Sequence, residues 1–91
     1  MSRAVEHNEA QQRFEWTEDG QLSVLEYELQ NGVMVIMHTG VPEPVGGRGI
    51  AADLARAALD TARLRGWRVR PLCSYVSGYI QRKAQYQDLL A

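Results

Sequence analysis

The sequence predicts an α+β fold: an antiparallel meander whose last strand is joined, through a helix crossover, to a parallel neighbour. Three observations carry this expectation. Asn31-Gly32 separates two apolar runs, and both residues tolerate the positive φ that a tight hairpin needs. Val33 to Thr39, VMVIMHT, is almost wholly apolar and rich in β-branched side chains, the pattern of a strand covered on both faces and central in its sheet. After the glycine-rich VGGRG, Ile50, Leu54, Ala57, Ala58, Thr61 and Ala62 recur at helical spacing.

Taken in chain order, Arg13 to Trp16 alternates polar and apolar residues as a half-buried strand does. Glu18-Asp19-Gly20 is a turn signal. Leu22 to Leu29 places Leu25, Tyr27 and Leu29 on one face and Glu26 and Glu28 on the other. The hairpin at Asn31-Gly32 then leads into the buried strand. Along the helix that follows the loop, Asp53, Arg56, Asp60 and Arg63 form an alternating-charge stripe opposite the apolar side, read as a solvated face. Gly66 is placed to end that helix as a left-handed cap. WRVRPL reads as a short strand, with Pro71 marking an edge or a strand end. Ser74 can cap a second helix whose apolar residues are Tyr75, Val76, Tyr79 and Ile80, although Gly78 weakens it. YQDLL suggests a last short helix. A strand, a helix and a parallel strand in this order form one crossover.

Ninety-one residues are enough for a single domain, 1–91, with a modest core. Hydrophobic residues at 45% and charged residues at 23% fit a globular chain. No apolar run approaches the roughly 20 residues of a membrane helix, and the polar MSRAVEHNEA start lacks the core of a signal peptide. A lone cysteine forms no internal disulfide, which fits a reducing, cytoplasmic setting. The expected protein is a cytoplasmic monomer with no membrane or nucleic-acid partner. His7, His38 and Cys73 show no metal-ligand spacing, so no metal is expected.

Charge is distributed unevenly. Met1 to Val45 holds eight acidic and two basic residues, whereas Gly46 to Lys83 holds eight basic and two acidic ones. The basic part starts at the glycine loop, which favours an anionic ligand there. A glycine loop opening a helix presents convergent backbone N–H groups and the positive end of the helix dipole. The same pattern also serves as a plain helix-start turn. The sequence does not supply the P-loop pattern, since no Gly-Lys-Ser/Thr follows the required spacers, which argues against a nucleotide triphosphate. Gly47-Arg48-Gly49-Ile50-Ala51-Ala52 does match a dinucleotide fingerprint. A meander before it, and WRVR where the ribose-binding acid would stand, argue against that ligand. Coenzyme A remains.

The stretch HTGVPEPVGGRGIAADLARAALDTARLRGWRVRPLCSYVSGYI, His38 to Ile80, closely resembles the small single-domain YjdJ-type branch of the GNAT acetyltransferase superfamily. The likeness extends more loosely to LEYEL and YQDLL. It implies a minimal GNAT-like fold with coenzyme A held at Gly46, Gly47, Arg48, Gly49, Ile50 and Ala51, mostly through main-chain N–H groups. Pro44 departs from the Gln or Arg that opens the superfamily pattern, and Gly46 stands where this branch often has arginine, so basic side chains are missing. Lys83-Ala84-Gln85 stands where His-Pro-Glu is common. The resemblance further implies His38 and Cys73 as the active-site pair. A thiolate is a strong nucleophile and a histidine can take its proton, or the proton of an attacking amine. Other readings stay open: His38 as a hydrogen-bonded core histidine, Cys73 as a small buried hydrophobe, Glu43 as a base, and Tyr75 and Tyr79 as core or pocket wall. The function expected is an acetyl-CoA-dependent N-acyltransferase acting on an unidentified amine. The alternative is an acyl-CoA-binding protein with little catalysis and a thiol-sensing Cys73; a third class keeps the fold as an interaction module without the ligand.

Overall fold

A computed structural model describes residues 3–91. Strands β1 (Glu6–Asn8), β2 (Arg13–Glu18), β3 (Gln21–Gln30) and β4 (Val33–Gly40) form an antiparallel meander in sheet order, and β5 (Arg68–Pro71) adds in parallel beside β4. Helix α1 (Ile50–Arg65) makes the crossover from β4 to β5, and α2 (Ser74–Arg82) follows. Short 3₁₀ helices occupy Glu43–Val45, one turn, and Ala84–Leu89, two turns. This is the mixed α+β arrangement expected, with the parallel pair β4–β5 in place. β1 was not foreseen. It is short and polar, and it pairs with β2 through Glu6, His7 and Asn8.

Register explains the core. Phe14 lies opposite Leu25, Tyr27 opposite Ile36, and Met34 opposite Val69, so these side chains share one face of the sheet. All six are buried and belong to the same cluster as Leu54, Ala55, Ala58 and Leu59 of α1 and Val76, Tyr79 and Ile80 of α2. The other face carries Arg13, Glu15, Glu26, Glu28 and Arg70, residues alternating with the buried set. Val35 is buried there but stands outside the core cluster.

Several expectations are corrected by packing. The apolar side of α1 is rotated: Ala55 and Leu59 are fully buried, whereas Ala57 and Thr61 are only half-buried. The periodicity tolerates either phase, and the position of the sheet selects one. Leu29 is exposed because the end of β3 runs past the core. β4 is covered on both faces only at Met34, Val35 and Ile36; Met37 and His38 are exposed. The charged stripe of α1 is not simply solvated. Asp60 accepts a hydrogen bond from the Tyr86 hydroxyl at 2.7 Å, and Arg63 holds Asp88 and the Gln85 carbonyl, so the stripe docks the C-terminal turn. Cys73, not Ser74, is the N-cap of α2.

Asn31 and Gly32 take φ of 50° and 78°, the left-handed pair that a tight hairpin requires. Gly32→Val is therefore expected to destabilise the protein by about 1–2 kcal/mol, because a β-branched residue resists that backbone. The turn sits at the end of the sheet away from the glycine loop, so the remaining folded protein should bind ligand as before. Thermal denaturation beside ligand titration checks both halves.

Candidate functional site

The glycine loop joins β4 to α1. Val45 is buried beneath it, while Gly46 to Gly49 are exposed. Gly47 and Gly49 adopt φ of 77° and 85°, a conformation that residues with a side chain resist. Gly49 is the N-cap of α1 and receives the Asp53 N–H on its carbonyl. Among the described residues, no backbone or side-chain acceptor engages the N–H groups of Gly47, Arg48, Gly49, Ile50, Ala51 and Ala52. The exposed start of this 16-residue helix thus presents main-chain donors at the positive end of the helix dipole, an arrangement that can receive an anion.

The Arg48 side chain turns away from those donors. Its guanidinium meets Glu18 and Asp19, both at 2.8 Å, in the turn between β2 and β3. Arg3 lies on the same network: it pairs with Glu18 at 3.0 Å and Asp53 at 2.8 Å and donates to the Arg48 carbonyl at 3.0 Å. The Glu18 carboxyl is pulled down to about 2 by hydrogen bonds from the Trp16 indole, Arg48 and Arg3. Arg3 and Glu18 were missed as site residues. The charge count treated Arg3 as one of the few cations of the acidic half, and Glu18 was read only as part of a turn signal.

A wedge opens beside the loop. β4 and β5 pair from Val33↔Arg68 to Ile36↔Pro71. The Ile36 carbonyl then accepts from both Leu72 and Cys73 N–H, at 2.9 and 3.3 Å, and the strands part. β5 turns into α2, while β4 continues beside β3. On β4, Met37 is the extra residue of a bulge: Tyr27 faces Ile36 and Glu26 faces His38. A bulge interrupts the ladder and lets the strand bend away from its neighbour.

Cys73 and His38 both flank this wedge but are not joined by a hydrogen bond among the described residues. The Cys73 thiol is half-buried, packs against the core and donates to the Thr39 hydroxyl at 3.5 Å. Burial pushes the thiol up. The Thr39 hydroxyl and the N–H groups of Val76 and Tyr75 at the start of α2 more than offset this, and its pKa lies below the ordinary thiol value. Thr39 pairs with Leu25 on the core face, whereas His38 pairs with Glu26 on the open face. His38 is exposed, so it is not a core histidine, and its Nε2 stands 3.0 Å from where a side chain on Gly40 would begin. Glu43 is exposed at the start of the 3₁₀ turn. Tyr79 is buried core, and Tyr75 is partly exposed. Among the described residues, no group of three or more His, Cys, Asp or Glu could hold a metal, and no helix is long and apolar enough to cross a membrane.

A mixed sheet with a glycine-loop helix crossing between splayed parallel strands defines a GCN5-related N-acetyltransferase fold. The family model for GCN5-related N-acetyltransferases matches residues 13–89, and the chain belongs to that family. Protein NATD1 of Mus musculus is 34% identical over 88 residues, covering 93% of this chain and 80% of the relative. Protein NATD1 of Homo sapiens shows the same identity and covers 78% of its own length. In three dimensions the chain is similar to the NMR solution structure of a GCN5-like protein from Staphylococcus aureus. The TM-score is 0.75 at 24% identity, over 96% of this chain and 86% of the other. Members of the family generally use acetyl-CoA.

Proposed function

We propose that this protein transfers an acetyl group from acetyl-CoA to an amine. The observation that carries the reading is the run of free N–H groups from Gly47 to Ala52, opening on the same sheet edge as the β4–β5 wedge. The pyrophosphate would lie on the 46–51 loop, held by main-chain donors rather than by Arg48, whose charge is already engaged. The pantetheine arm would run into the wedge between Met37 and Leu72 towards Cys73. Both of those apolar side chains are exposed and can cover it.

The thioester supplies an electrophilic carbonyl carbon. The acceptor nitrogen attacks it, the C–S bond breaks, and coenzyme A leaves as its thiolate. His38, exposed on β4, takes the proton from the attacking nitrogen. Cys73 faces Thr39 instead of His38, which favours direct transfer over an acyl-enzyme activated by that histidine. In this arrangement the Cys73 thiol lines the sulfur end of the donor. The lowering of its pKa by the Thr39 hydroxyl and the start of α2 favours a second reading, a coenzyme A-binding protein with a thiol-sensing cysteine.

Iodoacetamide labelling at pH 7, read by intact mass, tests the placement. Labelling of Cys73 should be fast in the free protein and suppressed by saturating coenzyme A. A thiol that labels only after unfolding is a core residue, and one that labels equally fast with ligand lies away from it; either result removes Cys73 from the site. Acetyl-CoA consumption across a panel of amines separates the two functions. Turnover that depends on an amine supports the transferase, and protection without turnover supports the binding protein.

A further inference from the structure

We infer that Arg3 and Glu18 are positioning residues for the phosphate-binding loop: together they fasten the Arg48–Gly49 peptide so that its N–H faces the ligand. The inference rests on the proposed coenzyme A site but concerns residues outside the glycine motif. In a trans peptide the C=O of Arg48 and the N–H of Gly49 point in opposite directions. Arg3 Nη2 donates to that C=O at 3.0 Å, so it sets the direction of the Gly49 N–H on the other side of the plane. Gly49 sits in the left-handed region with no side chain to restrain it, and the peptide would otherwise flip cheaply.

Arg3 is itself held in place. Its Nε meets Glu18 Oε1 at 3.0 Å and its Nη1 meets Asp53 Oδ2 at 2.8 Å, in the first turn of α1. The second Glu18 oxygen takes Arg48 Nη1 at 2.8 Å, and the Trp16 indole N–H fixes Oε1 at 2.9 Å. One carboxylate thus ties the N-terminal segment and the loop to the end of β2. The side chains of Arg3, Glu18 and Asp53 are 20%, 22% and 13% exposed, so screening by water is reduced compared with a surface pair. The missing basic side chains at Pro44 and Gly46 are compensated by fixing main-chain donors, not by another cation on the phosphate.

The sign of one substitution decides the matter. Glu18→Gln removes a negative charge near an anion site, and through-space electrostatics alone would tighten coenzyme A binding. Positioning predicts the reverse. Calorimetry on wild type, Glu18→Gln and Arg3→Ala should show coenzyme A affinity falling about fivefold in each variant. Affinity for pantetheine, which lacks the pyrophosphate, should stay unchanged. Without any ligand, the heteronuclear ¹⁵N NOE at Gly47 to Gly49 should drop in both variants while core amides keep theirs. Unchanged or tighter coenzyme A binding by Glu18→Gln overturns the inference, as does an equal loss for pantetheine. If wild type bound no coenzyme A, the functional reading would fall. The fastening of the loop would still stand or fall on the NOE: a drop supports it, and unchanged values in both variants overturn it.

Discussion

Leu59→Ala is expected to lower stability by about 3 kcal/mol, the loss typical of a fully buried leucine whose neighbours relax only in part. Leu59 is 0% exposed and sits in the cluster that joins α1 to the sheet. A 91-residue chain has a net stability of about 5–14 kcal/mol at roughly 0.05–0.15 kcal/mol per residue. The substitution therefore removes a large share of it, and the midpoint of thermal unfolding should fall on the order of 12–24 °C. Ala57→Ser is the matched control. Ala57 lies on the side of α1 that periodicity alone pointed to the core, yet it is only half-buried, so its loss should stay under about 1 kcal/mol. If Ala57→Ser were the more damaging of the two, α1 would pack in the other phase and the core described here would be wrong.

Gly49→Asp is expected to weaken coenzyme A binding at least tenfold, about 1.4 kcal/mol, in a protein that still folds. The substitution acts in three ways. It places a carboxylate at the mouth of the main-chain donors that open α1, where the proposed pyrophosphate would lie. It forces a side chain onto a φ of 85°, at a cost of about 1–2 kcal/mol of stability that aspartate bears better than most residues. It also brings a carboxylate within reach of Arg3, whose Nη1 lies 3.9 Å from where the new Cβ would stand, and so competes with Asp53 for that guanidinium. Gly66→Asp carries the same kind of backbone strain, at φ 73°, but at the opposite end of α1. It should lower stability and leave coenzyme A affinity intact. Equal affinity losses in the two variants would mean that strain in α1, rather than a phosphate site at Gly49, governs binding.

Much of the scaffold around the candidate site was legible in the sequence. The glycine loop, the helix it opens, the hairpin before it and the parallel strand after it all stand where the sequence placed them. The assignment of His38 and Cys73 came from the family resemblance, not from local pattern, and their geometry was not legible. Each is a single residue near a strand end, and nothing in its neighbours says which face it takes. The bulge at Met37 decides that for β4, because one extra residue resets the alternation between Ile36 and His38. It leaves His38 beside Glu26 and brings Thr39, rather than His38, to Cys73.

The sequence by itself determined what local stereochemistry determines. Left-handed backbone at Asn31, Gly32 and Gly66 follows from which residues tolerate positive φ. Strand alternation and helical period follow from the directions of successive side chains. Tertiary structure alone decided the phase of α1, because two adjacent stripes of a helix rich in alanine are nearly equal until a sheet covers one. It also decided the fate of the charges. Arg3 and Asp53 lie 50 positions apart, and Arg48 and Glu18 lie 30 apart. No periodicity links such pairs. They meet because the β2–β3 turn, the N-terminal segment and the start of α1 converge at one end of the sheet, where carboxylates and guanidinium groups removed from part of their water must find one another.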